Sequence, residues 1–240
     1  MIQEEIQNWI YEIKKVDALS AKALLCVYEQ LGLSAASDRL SAIGDSSEAA
    51  DAEYGSVWLW MIERNPERRE IVNKLREELT EKYCGESSRD VHLTGSQVFY
   101  ELSFFTEYET KYGTLQYYEN IYRQLCQVEV SERDGWYLYG LTQVKKAMKE
   151  GVFEYQAQIT ALFKETFDKL RETFTTLEPL QRVLILAAAY EACNQRILLP
   201  YKYQSLLQEW YRAVCRHEHN SAEFEAAMVL MKLAKQKLEA

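Results

Sequence analysis

Three prolines and nine glycines in 240 residues leave few positions where a helix must stop, so long helical runs are open to this chain. No alternation of apolar and polar residues persists for more than a few positions, which removes β-strands as a main element. Clustered positive charge is also missing. Lys and Arg number 28 against 37 Asp and Glu, a net charge of −9, and a surface of that balance does not bind a phosphate backbone. Nucleic acid is therefore not an expected partner. The strongly apolar run free of charge from Val183 to Tyr190 falls far short of the ~20 residues that cross a bilayer, so no membrane association is expected either. Met1-Ile-Gln-Glu-Glu offers neither a basic stretch nor an apolar one, so no signal peptide is expected and the location is expected to be cytoplasmic.

Chemical signatures are as scarce. There is no glycine-rich phosphate loop, no G-x-S-x-G elbow and no CxxC pair, and three histidines allow few arrangements of nucleophile and base. No cofactor is expected. The five cysteines, at 26, 84, 126, 193 and 215, are odd in number and scattered, which favours buried free thiols over a disulfide framework.

What remains is a hydrophobic fraction of 48% with seventeen Tyr and five Trp, arranged at helical spacing along nearly the whole chain. Ile2, Ile6, Trp9 or Ile10, and Ile13 give an amphipathic first helix. Leu24 to Leu31 gives a second, stopped by Gly32, and Ser34 to Ile43 a weakly patterned third. Ser46 to Asp51 carries capping residues ahead of Tyr54 to Ile62, which is apolar all round and so expected to be an inner helix. Asn65-Pro66 separates it from Glu67 to Tyr83, whose charged side faces away from Ile71, Leu75 and Leu79, an outer helix. Cys84 to Asp90 is a polar connector.

Val98, Leu102, Phe105 and Tyr108 or Glu109 predict the next helix, with Gly113 as a left-handed stop. Leu115, Tyr118, Ile121, Tyr122 and Leu125 predict its antiparallel return after a turn of two or three residues. Asp134 is placed to cap a helix through Trp136 to Met148, and Phe153 to Phe174 is a long helix with a charged face. Pro179 to Tyr190 is again apolar throughout, and Tyr203 to Val214 and Ala222 to Leu238 complete about twelve helices in consecutive hairpins of roughly 40 residues. The expectation is one all-α domain over residues 1–240.

Three stretches carry a resemblance: Phe104-x-x-x-Tyr108-x-x-x-x-Gly113, the Tyr-rich return helix, and Asp134-Gly-Trp136-x-Leu138-x-x-Leu141. Together they look like the middle of the unsaturated glucuronyl and rhamnogalacturonyl hydrolases, closed toroids of six helical hairpins that remove Δ4,5-unsaturated uronic acid from oligosaccharides. The resemblance implies an α/α toroid with Tyr54 to Ile62, Gly95 to Tyr112, Trp136 to Met148 and Pro179 to Tyr190 among the inner helices. An open α-solenoid of the same hairpins is the alternative. In character the likeness extends over about two-thirds of the chain.

The chemistry departs from that family. Its W-x-D-G motif supplies the acid that protonates the unsaturated ring, and the matching residues here are His92-Leu93-Thr94-Gly95. A threonine hydroxyl cannot give up a proton in that role. The family's S-G-T-A reads Leu180-Gln-Arg-Val183, and the loops that roof its sugar cleft are cut to two or three residues. Asp90 and Asp134 are the remaining acids nearby, read more simply as a loop carboxylate and a helix cap. Catalysis is therefore not expected, although a glycoside hydrolase with a displaced acid stays open. Tyr54, His92, Thr94, Gln97, Tyr100, Trp136 and Tyr137 would gather at the N-terminal ends of inner helices, where dipoles favour anions and rings stack on sugars. The expected ligand is a small acidic saccharide or another carboxylate. The competing expectation is a helical scaffold whose partner is another protein or a second copy of itself. Cys215 and His219, one helical turn apart, could hold a metal together with Glu223, but a dipole-complementing histidine at a helix end is the simpler reading.

Overall fold

A computed structural model describes residues 2–43, 51–86, 88, 91–113, 115–148, 152–216 and 221–240. Among the described residues every regular element is helical and no strand occurs. The chain divides into two compact units, residues 1–49 with 175–240, and residues 50–174, so the second is inserted between the halves of the first. Length and composition had pointed to one domain.

Among the described residues the first unit holds six α-helices. α1 (Ile2–Glu12) buries Ile6, Trp9 and Ile10, one stripe of its surface. α2 (Ala18–Leu31) starts at Asp17, whose carboxylate accepts the Ser20 N–H at 2.7 Å, and ends at Gly32, which takes the left-handed conformation at φ 65°. α3 (Ser34–Ile43) forms where the weak pattern predicts it, because it lies on α2 and buries Ala36, Leu40 and Ile43. Tertiary packing here stabilises a helix that propensity alone leaves marginal. α11 (Pro179–Asn194) is buried without interruption from Val183 to Cys193, whereas α12 (Pro200–Cys215) buries only Leu207, Trp210 and Val214. α13 (Ala222–Glu239) is capped by Ser221 and packs on both α11 and α2. The last and first hairpins of the chain are thus neighbours.

The second unit repeats the contrast between inner and outer helices. α4 (Gly55–Ile62) is buried at every residue. α5 (Arg69–Cys84) hides Val72, Leu75, Leu79 and Tyr83, so its inward stripe begins one residue after Ile71. α6 (Gly95–Gln97), a π turn (Val98–Leu102) and α7 (Ser103–Lys111) run end to end as one helix. α8 (Tyr118–Gln127), α9 (Gly135–Ala147) and α10 (Phe153–Thr173) follow. α9 packs along α6, the π turn and α7, and carries α10 on another side.

Several expectations change. Gly113 does not adopt the left-handed conformation; a Cβ there would run into the Glu109 carboxylate, so glycine is required by crowding. Leu115 takes the positive φ instead, at 64°, and α8 begins three residues later than its apolar stripe predicts. α8 then rests on α5 and α10 rather than pairing closely with α7. Gln124 explains part of this, since its amide donates to the carbonyls of Tyr83 and Ser88 at 3.2 and 2.9 Å and ties α8 to the end of α5. None of the five cysteines forms a disulfide, but only Cys193 is buried; Cys26 and Cys84 are half-buried, and Cys126 and Cys215 are exposed. Of the capping stretch, residues 46–50 lie outside the described residues, as do Asp90, His217 and His219.

Candidate functional site

The N-termini of α6 and α9 meet. Thr94 caps α6 through a reciprocal box: its hydroxyl accepts the Gln97 N–H at 3.4 Å, and the Gln97 side-chain oxygen accepts the Thr94 N–H at 3.0 Å. Asp134 caps α9, its Oδ1 accepting the Tyr137 N–H at 3.0 Å. The two caps are so close that a Cβ on Gly95 would strike Asp134 Oδ1 and lie 2.8 Å from the Tyr137 nitrogen. Gly95 is there because no side chain fits between the helix ends.

Paired helix N-termini attract anions, and here Asp134 already supplies one. An incoming carboxylate would meet the Asp134 charge in the place where the α9 dipole is strongest.

Of the aromatic residues expected to face a sugar, Tyr100 and Trp136 are packed against each other and against Phe99. Trp136 lies 5.6 Å from Tyr100 and 5.4 Å from Phe99 between ring centres, and Tyr139 lies 5.1 Å from Phe99. Tyr100 is 9% exposed and Phe99 1%. Tyr137 is fully buried, donates its hydroxyl to the Leu125 carbonyl at 3.0 Å and carries the Arg133 guanidinium 5.6 Å from its ring. Burial holds its phenol far above the usual tyrosine range. Such rings form a core contact worth about 0.5–1.5 kcal/mol per pair beyond the area they hide.

Of the remaining candidates, His92 and Thr94 are exposed and Gln97 and Trp136 half-buried. Tyr54 is half-buried at the end of a short turn (Ala52–Tyr54) that Asp51 caps and that packs on the π turn. Asp90 lies outside the described residues. So does His219, which leaves the proposed metal group without one of its members; among the described residues no cluster of metal-ligating side chains occurs.

Sequence reasoning missed two paired carboxylates on the same long helix, Glu101 half-buried and Glu109 buried. Glu101 accepts from Lys82 Nζ at 2.7 Å and from the buried Tyr83 hydroxyl. Glu109 is fully buried and held by Arg76 Nε at 3.0 Å. Their partners stand 18 to 33 residues away in sequence, on α5, so no local signal announces them. Both are bound by cations and tie α5 to the α6–α7 helix.

Compared with protein-family models, curated proteins and solved structures, the chain matches none of them.

Proposed function

We propose that this chain is a non-catalytic helical scaffold whose partner is another protein, built on the frame of an α/α toroid. The observation that carries the functional part is the mutual packing of Phe99, Tyr100 and Trp136, which puts Phe99 and Tyr100 in the core and holds the half-buried Trp136 against them. Thr94 in the place of the acid, and Asp134 charged where an acidic sugar would sit, point the same way. The toroid reading draws support from α13 lying on α2 and from the row of inner helices α4, α6–α7 and α9 in the second unit.

The saccharide-binding reading keeps one observation in its favour, the exposure of His92 and Thr94 beside a half-exposed Trp136. A thermal-shift panel of uronic acids and oligosaccharides against wild type and Trp136→Ala separates the two. The expected result is no saturable shift with any saccharide, together with a protein that stays bound to the tagged chain through size exclusion. A saccharide that raises the melting temperature of the wild type, and not of Trp136→Ala, would overturn the scaffold reading. Loss of the ring double-bond absorbance of an unsaturated disaccharide would restore an enzyme.

A further inference from the structure

On α1, Ile2, Glu5, Trp9 and Glu12 recur at steps of three and four residues and so share one stripe of the helix. On α13, Glu225, Met228, Lys232 and Gln236 do the same. Both helices belong to the first unit. The two stripes flank a depression with one lobe of about 390 Å³ beside Trp9, Phe224 and Met228, and a second of about 810 Å³ beside Ile2, Tyr211 and Met228. The Glu5 to Lys232 ion pair, 2.7 Å, crosses between the lobes, and Glu5, Met228 and Lys232 border both. From residue 2 to residue 12 the stripe is ~15 Å long, the length of about three helical turns.

Charge on the rim is one-sided. The first lobe is bordered by Glu5, Glu12 and Glu225 against Lys232 alone, and Lys232 is already engaged by Glu5. Glu12 and Glu225 have no cation within ion-pair distance among the described residues, and the whole chain carries −9. The floor beneath them is apolar, formed by Ile6, Trp9, Phe224 and Val229, with the flexible thioether of Met228 at the junction. An apolar trough with an uncompensated acidic edge selects a segment with an apolar face and a basic edge, and the charge of the whole chain steers such a segment toward it.

We infer that the trough between α1 and α13 is where the scaffold takes its partner, as a short amphipathic helix with an apolar face and lysine- or arginine-rich edges. This rests on the scaffold reading and adds the surface and the chemistry of the partner. Met228 and Trp9 receive the apolar side chains, and Glu12 and Glu225 pair with the flanking cations.

The probe is a labelled 14-residue Leu/Lys amphipathic peptide, with its Leu/Glu counterpart, titrated by fluorescence anisotropy into the full chain. Four proteins are compared: wild type, Glu12→Gln with Glu225→Gln, Met228→Lys, and Glu70→Gln with Glu77→Gln on the exposed side of α5 as an equal removal of charge elsewhere. The Leu/Lys peptide is expected to bind wild type and the α5 variant alike, to lose about tenfold in affinity on the other two, and the Leu/Glu peptide is expected not to bind. Equal binding to all four proteins, no binding to wild type, or binding of the Leu/Glu peptide overturns the assignment. If a protein copurifies with wild type and with both trough variants equally, the trough is wrong while the scaffold reading stands. If nothing copurifies and a saccharide stabilises the chain, the scaffold reading itself has failed.

Discussion

Cys84 and Cys193 have thiols pushed up to about 11, in both cases chiefly by burial, with the Glu109 charge adding to the effect at Cys84. An unfolded thiol titrates near ~8.5. The folded state therefore holds its proton more tightly, so the stabilisation is fully present below ~8.5 and is lost as pH rises toward about 11. Denaturation midpoints should fall across that alkaline window and be flat with respect to these groups at neutral pH. At neutral pH a thiol reagent followed by peptide mass spectrometry should modify Cys126 and Cys215 quickly and Cys193 only on global unfolding; modification of Cys193 at the rate of Cys126 would contradict its burial. The sequence announced five cysteines outside any disulfide framework, but their sorting into buried and exposed depends on which side of α8, α11 and α12 faces a neighbour. Residue by residue, caps were the easiest part to read. Asp134 was legible because a carboxylate before a glycine and an apolar stripe has one common use, whereas Glu109 was not, because its partner Arg76 is 33 residues away.

At the level of elements, Gly140 on α9 sets the close approach of that helix to the α6–α7 helix. A Cβ there would stand 2.8 Å from the Phe99 nitrogen and 2.9 Å from the Val98 carbonyl carbon, backbone atoms that cannot swing aside. Gly140→Ala gains ~1 kcal/mol of helix propensity and costs ~3 kcal/mol of overpacking, so clash wins. The expected net loss is about 2 kcal/mol, read as a lower urea midpoint at unchanged slope. A stabilised variant would mean that α9 is free to shift away from the α6–α7 helix. The inner elements were legible because α4 and α11 are apolar on every side. The partner of α8 was not, since an amphipathic stripe says that one face is covered and leaves open by what.

For the whole molecule, closure of the hairpins into a toroid has a measurable size. A compact chain of this length has a radius of gyration of ~18 Å by the general scaling of folded domains, whereas an open solenoid of the same hairpins is extended and exceeds it by several ångströms. Small-angle scattering near ~18 Å supports the toroid, and a clearly larger value with an elongated distance distribution sinks it. Composition and periodicity by themselves determined that the chain is all-helical, where most helices begin and end, and that α4 and most of α11 are buried on every side, because helical spacing, caps and all-round apolarity are local properties of the chain. Tertiary structure alone decided that α13 lies on α2, that Glu101 and Glu109 pair with residues of α5, and that Phe99, Tyr100 and Trp136 pack on one another. The physical reason is that a tyrosine or tryptophan at a helix N-terminus has the same apolar body and polar tip whether it meets a sugar or another ring. Only the position of the neighbouring helix determines which of the two it touches.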